Sequence, residues 1–189
     1  MKAKLSFIAT LLLLVVFLTS CGGSGVAPVV TVNGTDLIIG ESYMYTLTKT
    51  DDGYEERLYK AGAVGAIPYG DLDANSYCDD LIHIYKDDHP CITVMVYNPG
   101  RESKMLSLCP ISKLTFSMED THALVNGIDF STLDSAGVKE AMADYKLGIE
   151  TDWGTLRYDD GKYKYFFEFD EESGLVNEIT VEIVFGKSY

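Results

Sequence analysis

Positive charge is scarce in this chain. Fifteen Lys and Arg stand against 29 Asp and Glu, a formal net charge of −14. A surface this acidic repels phosphate backbones and anionic head groups, which excludes nucleic acid as a partner and a basic patch as a membrane anchor. Histidine is equally thin, with only His83, His89 and His122. None lies in an H-x-H or H-E-x-x-H spacing, so no zinc motif is present. His83, within "LIHIY", reads as a hydrogen-bonded strand histidine. The G-x-S-x-G, P-loop and G-x-G-x-x-G patterns are missing too, and no Ser–His–Asp arrangement emerges from the spacing. The stretch "GDLDANSYCDD" places Asp71, Asp73 and Asn75 as a calcium loop would start. Ser76 then stands where such a loop needs glycine and Ile82 where it needs glutamate, so a solvated loop is the default. No metal and no cofactor is implied, and no catalytic residue can be named.

Long apolar runs are also lacking, with one exception. Lys2 and Lys4 precede a run from Leu5 to Leu18 broken only by Ser6 and Thr10. It is shorter than the roughly 20 residues a spanning helix needs, and has the length of a secretory h-region. It ends in "LTSC", an aliphatic residue and two small ones before Cys21. This box resembles that of bacterial lipoproteins. The resemblance implies that residues 1–20 are a signal peptide removed before Cys21, and that the Cys21 thiol carries a diacylglycerol. The chain would then sit on the outer face of the plasma membrane, held by its lipid. Residues 21–28, with "GGSGVAP", read as a short flexible tether. Cleavage leaves 169 of the 189 residues, enough for one domain or two small ones. Without Lys2 and Lys4 the net charge deepens to about −16. Thirteen Tyr and eight Phe argue for a packed fold in spite of that charge.

Along the mature chain, "VVTVNGTDLIIG" sets two β-branched runs around Asn33-Gly34, a strong hairpin signal because both residues accept positive φ. A short helix is expected over Glu55 to Ala61, inside a loop-rich segment. "LIHIY", "CITVMVY" and "KMLSLC" read as strands of an antiparallel meander, separated by "KDDHP" and "NPGRES". Val138, Ala141, Met142 and Tyr145 then recur at helical spacing, with Asp134 or Ser135 as cap and Leu147-Gly148 as exit. Three strand runs close the chain, "TDWGTLRY", "KYKYFFEF" and "LVNEITVEIVF". In the last, Ile179, Val181, Ile183 and Phe185 alternate with Thr180, Glu182 and Val184.

The order in "GIDFSTLDSAGVKEAM" and after it, a Gly-started loop, a helix and Tyr-rich strands, resembles the helix-plus-sheet repeat of the beta-lactamase inhibitor protein. It is also similar to small lipoproteins of the outer-membrane barrel-assembly machinery. With "VTVNGTDLIIG" and "VMVYNPGRESKMLSLC", the chain resembles uncharacterised lipoproteins of Gram-positive bacteria. It departs from the repeat at "KLGIET", which lacks the usual proline. These resemblances imply a fold and carry no catalytic residues.

Cys78, Cys91 and Cys109 remain once Cys21 is set aside, an odd number. If the chain turns about Gly100, Val94 faces Leu106, Ile92 faces Leu108, and Cys91 faces Cys109. Opposed strand residues have Cβ atoms about 4.5–5.5 Å apart, close enough for a Cys91–Cys109 disulfide after small adjustment. Cys78 lies too far along its strand to join either.

The expected fold is therefore α+β, antiparallel sheet with a few short helices packed on one face. Two related halves are the candidate organisation: a β-rich half over 29–117 and a helix-plus-sheet half over 123–189. The expected function is a non-catalytic binding or interaction module at the cell envelope, meeting an envelope protein or a cell-wall component. A cell-wall-associated enzyme or accessory subunit is the competing expectation. Tyr163, Tyr165 and Trp153 are the candidate interaction surface, with burial as core beneath the helix the default for each.

Overall fold

The computed structural model describes residues 26–50, 52–59, 70–78, 81–151 and 154–185. The signal segment, Cys21 and Trp153 lie outside the described residues.

The Asn-Gly hairpin forms as its chemistry dictates. Strand β1 (Val29–Val32) returns as β2 (Thr35–Ile38), with Asn33 at φ 48° and Gly34 at φ 78°. Two consecutive positive φ angles match the right-handed twist of the flanking strands. A second hairpin of the same kind joins β10 (Leu124–Val125) to β11 (Ile128–Asp129) through Asn126 (φ 51°) and Gly127 (φ 80°). The two hairpins pair through β1 and β10 into one sheet of order β11-β10-β1-β2.

The remaining strands build a larger sheet. Its first half contains β3 (Tyr54–Tyr59), β6 (Leu81–Lys86), β7 (His89–Asn98) and β9 (Ile111–Ser117). Its second half contains β12 (Lys146–Glu150), β13 (Leu156–Asp159), β14 (Tyr163–Phe169) and β15 (Val176–Ile183). Each half is an antiparallel meander, and the last strand of each pairs with the last strand of the other. The order runs β12-β13-β14-β15-β9-β7-β6-β3. At this seam Thr115 opposes Thr180, and their hydroxyls are 2.8 Å apart. Each half thus runs Asn-Gly hairpin, helix, four-stranded meander, and one sheet crosses from 29–117 into 123–189. The short β5 (Ser76–Tyr77) adds to β7, and β4 (Asp71–Leu72) pairs with β8 (Lys104–Met105) as a separate ribbon.

Among the described residues three short α-helices accompany the sheets: α1 (Tyr45–Thr48), α2 (Met118–Thr121) and α3 (Ser135–Ala141). This is an α+β fold of antiparallel sheet with few helices. Asp134 caps α3 by accepting from the Gly137 N–H at 2.8 Å. Ile82, Ile84, Ile92, Val94 and Val96 from the first half join Tyr163, Tyr165, Phe167 and Val181 from the second in one buried cluster. The hairpin sheet contributes Val30, Val32 and Leu37 to it, and α3 contributes Val138. Among the described residues no helix is long and apolar enough to cross a membrane.

Four local expectations need correction. Glu55 to Tyr59 is strand, not helix: Tyr54 and Leu58 are buried and the segment pairs with β6 along its length. Helix α3 ends at Ala141, and Lys146–Glu150 is the edge strand β12. Ladder pairing of Leu147 with Tyr158 and Ile149 with Arg157 outweighs the helical propensity that would have carried the helix on to Gly148. "KMLSLC" is not the return strand either. Lys104–Met105 pairs with Asp71–Leu72, and Leu106–Leu108 forms a 3-10 turn.

The return strand is β9, which puts Ile92 opposite Phe116 and Val94 opposite Leu114. This breaks the expected Cys91–Cys109 pair, and both residues are buried thiols. Cys109 instead precedes Pro110, whose carbonyl accepts from the Tyr97 N–H at 3.1 Å. Tyr97 is six residues along β7 from Cys91, about 20 Å at strand rise. The cause is Asn98, which is fully buried. Its amide donates to the carbonyls of Leu72 (2.9 Å), Asp73 (3.2 Å) and Glu102 (2.9 Å), and its Oδ1 accepts from Gly100 N–H (2.9 Å). That clamp holds the chain in an excursion where a tight turn was expected.

Candidate interaction surface

Alternation along the strands gives the large sheet two faces. One carries the core. The other is crossed by a row read directly from the register: Arg157, Phe166, Thr180, Thr115, Thr93, His83 and Arg57. Every member is half-buried, and among the described residues no second layer packs over this side. Seven adjacent strands contribute, and the row spans about 29 Å at ordinary strand spacing. A parallel row alternates in charge through Asp159, Lys164, Glu182 and Lys113. Within it Lys164 Nζ lies 3.6 Å from Glu182 Oε1.

The β3 end of the face is aromatic. Tyr59 meets the His83 ring edge-on at 5.6 Å, and the Tyr85 hydroxyl donates to that of Tyr59 at 3.1 Å. The Arg57 guanidinium stacks over Tyr85 at 4.2 Å and is held by Asp88 (2.7 Å) and Glu55 (3.0 Å). This pairing keeps the Asp88 carboxyl below its ordinary range. The Tyr59 hydrogen bond and then burial raise the Tyr85 phenol. Burial lowers the His83 imidazole, whose Nδ1 is 3.3 Å from Thr93 Oγ1. At the opposite end of the central row, Arg157 sits 5.4 Å from the Phe166 ring and 3.4 Å from Asp159 Oδ2. Its Nε–H is buried with no acceptor among the described residues. A second ring cluster lies beyond the top of β7, where Tyr97 stacks on Phe185 at 4.2 Å and meets Tyr77 at 4.6 Å.

Of the residues singled out from sequence, Tyr163 and Tyr165 are not on this surface. Tyr163 and Tyr165 are 2% and 1% exposed, so an interaction surface built on them is corrected to core. Tyr165 meets Tyr145 edge-on at 5.1 Å, and burial drives its phenol pKa far upward. The strand "YKYFFEF" turns Tyr163, Tyr165 and Phe167 inward and leaves Phe166 on the open face. Sequence reasoning missed the surface residues Tyr59, Tyr85 and Phe166. A usable signal lay in "LIHIY": Ile82 and Ile84 form an all-aliphatic set, which assigns His83 and Tyr85 to the outer face.

Among the described residues no group of three His, Cys, Asp or Glu is placed to hold a metal ion. No protein-family model, curated protein or solved structure matches the chain.

Proposed function

We propose that this chain is a non-catalytic binding module of the cell envelope, anchored by lipid on Cys21 at the outer face of the plasma membrane. Its partner is an envelope protein or a cell-wall component met across the open sheet face. The observation that carries this reading is the uncovered central row with an arginine and aromatic rings at each end. Arginine and aromatic residues are the side chains that dominate binding energy in protein interfaces.

A photo-crosslinking residue at Thr93 or Thr180 should give one discrete adduct in intact cells. The same residue at Thr132, exposed just ahead of helix α3, should not. Equal labelling from both faces, or no adduct from either, rejects the open face as the binding surface. The anchor is tested separately by palmitate incorporation, which Cys21→Ala should abolish.

A further inference from the structure

The place where the N-terminus leaves the fold bears on how an anchored molecule would stand. Pro28 accepts from the Ile39 N–H at 3.0 Å, the Val29 N–H donates to Asn126 Oδ1 at 2.9 Å, and the Gly40 N–H donates to the Ile111 carbonyl at 2.8 Å. Gly40 and Glu41 line a small cleft with Lys162 and Phe185. The chain therefore emerges at the end of the large sheet where β9 and β14 begin. The tip of the first hairpin marks the other end, where Asn33 Nδ2 donates to the Tyr54 hydroxyl at 2.8 Å and Tyr54 opposes Lys86. There β6, β9 and β14 finish.

The two ends differ in charge. Turns and the short ribbon at the exit end mix Arg101, Lys104 and Lys162 with Glu41, Asp71, Asp73, Glu102 and Asp160. Those at the far end expose Asp87, Asp88, Glu119, Asp170, Glu171 and Glu172. We propose that the anchored protein stands with its strands along the membrane normal, its less acidic exit end against an anionic lipid surface and its strongly acidic turns pointing outward. This rests on the lipid-anchor reading above.

Two independent facts drive the orientation. The eight residues from Cys21 to Pro28 can span at most about 28 Å. The eight-residue β15 alone is about 27 Å long, so inverting the domain would require the whole connection at full stretch. An anionic surface also repels the acidic turns within a Debye length, about 8 Å at physiological ionic strength. Standing this way, the open sheet face looks sideways, parallel to the membrane plane, and lipid does not cover it.

The test uses the full-length chain recovered with its membranes and reconstituted in phosphatidylglycerol–phosphatidylcholine vesicles bearing a head-group nitroxide quencher. A fluorophore is placed at Ser103→Cys, in the exit-end turns, or at Ser173→Cys, in the far-end turns. Quenching should be several-fold stronger at 103 than at 173. Glu171→Lys with Glu172→Lys should narrow that ratio on anionic vesicles and leave it unchanged on phosphatidylcholine alone. Equal quenching, or stronger quenching at 173, overturns the orientation. Palmitate content is measured on the same samples. Its absence removes the anchor reading and this proposal with it, whereas palmitate with equal quenching overturns the orientation alone.

Discussion

Strand β14 of the second half and strand β7 of the first occupy matching places in their meanders, third of four. One turns Tyr163, Tyr165 and Phe167 inward, the other Ile92, Val94 and Val96. The rings of the second half are met from above by Phe130, 4.8 Å from Phe167, and by Tyr145 in the turn between α3 and β12. The first half uses smaller side chains and departs from the plan elsewhere. Its connections carry the β4–β8 ribbon and β5, whereas β13, β14 and β15 are joined by short turns. Strand order is the same in both. Alternation and hairpin turns therefore set topology, while core volume and loop length vary independently around it.

Removal of the Phe167 ring should have the largest effect. Phe167→Ala is expected to cost about 3–5 kcal/mol, against about 2–5 for Ile84→Ala in the first half. Because one sheet carries both, each variant should unfold in a single denaturant transition. Two transitions would divide the halves thermodynamically. Asn98→Ala comes next and touches only the excursion of the first half. It removes the amide donor to three carbonyls and should cost about 2–3 kcal/mol, with hydrogen exchange rising first near residues 70–73 and 98–105. Unchanged exchange there would show that the loop holds itself.

Asp134→Ala removes the α3 cap of the second half and should cost about 1 kcal/mol by chemical denaturation. The smallest effect concerns His83 on the open face of the first half. Its folded pKa lies below the ordinary 6.5, so the unfolded chain takes up the proton first. Its contribution is complete above about pH 6.5 and declines as pH falls below that value. Imidazole resonances should show a midpoint under 6.5. The stability gap between wild type and His83→Gln should narrow on going from about pH 7.5 to about pH 5.5. A midpoint at or above 6.5 contradicts the buried setting.

Local chemistry made much of this readable in advance. The Asn33-Gly34 hairpin, the Asp134 cap, the three closing strands and the inward set Ile179, Val181 and Ile183 all follow from turn residues and a period of two. The second Asn-Gly turn, at 126–127, was equally visible but lay hidden in what reads as the entry to a helix. What could not be read locally was decided by distant partners. Tyr54–Tyr59 is strand because β6 lies beside it, and Lys146–Glu150 because β13 does. The β7–β9 register depends on Asn98 reaching carbonyls 25 residues or more away at Leu72 and Asp73. For the surface, an alternating aromatic strand names two faces without saying which is wet. The tyrosines proved to be core because α3 and the second hairpin close over them.

The seam between β9 and β15 also bears on when the fold can be completed. Strand β9, residues 111–117, lacks one neighbour until β15, residues 176–183, has been made. Strand β1 likewise waits for residues 124–125. A chain emerging N-terminus first therefore keeps an open edge in both sheets through most of its synthesis, and the final strand closes the larger one. Such late, long-range closure slows folding and leaves the unfinished chain exposed to wrong pairing.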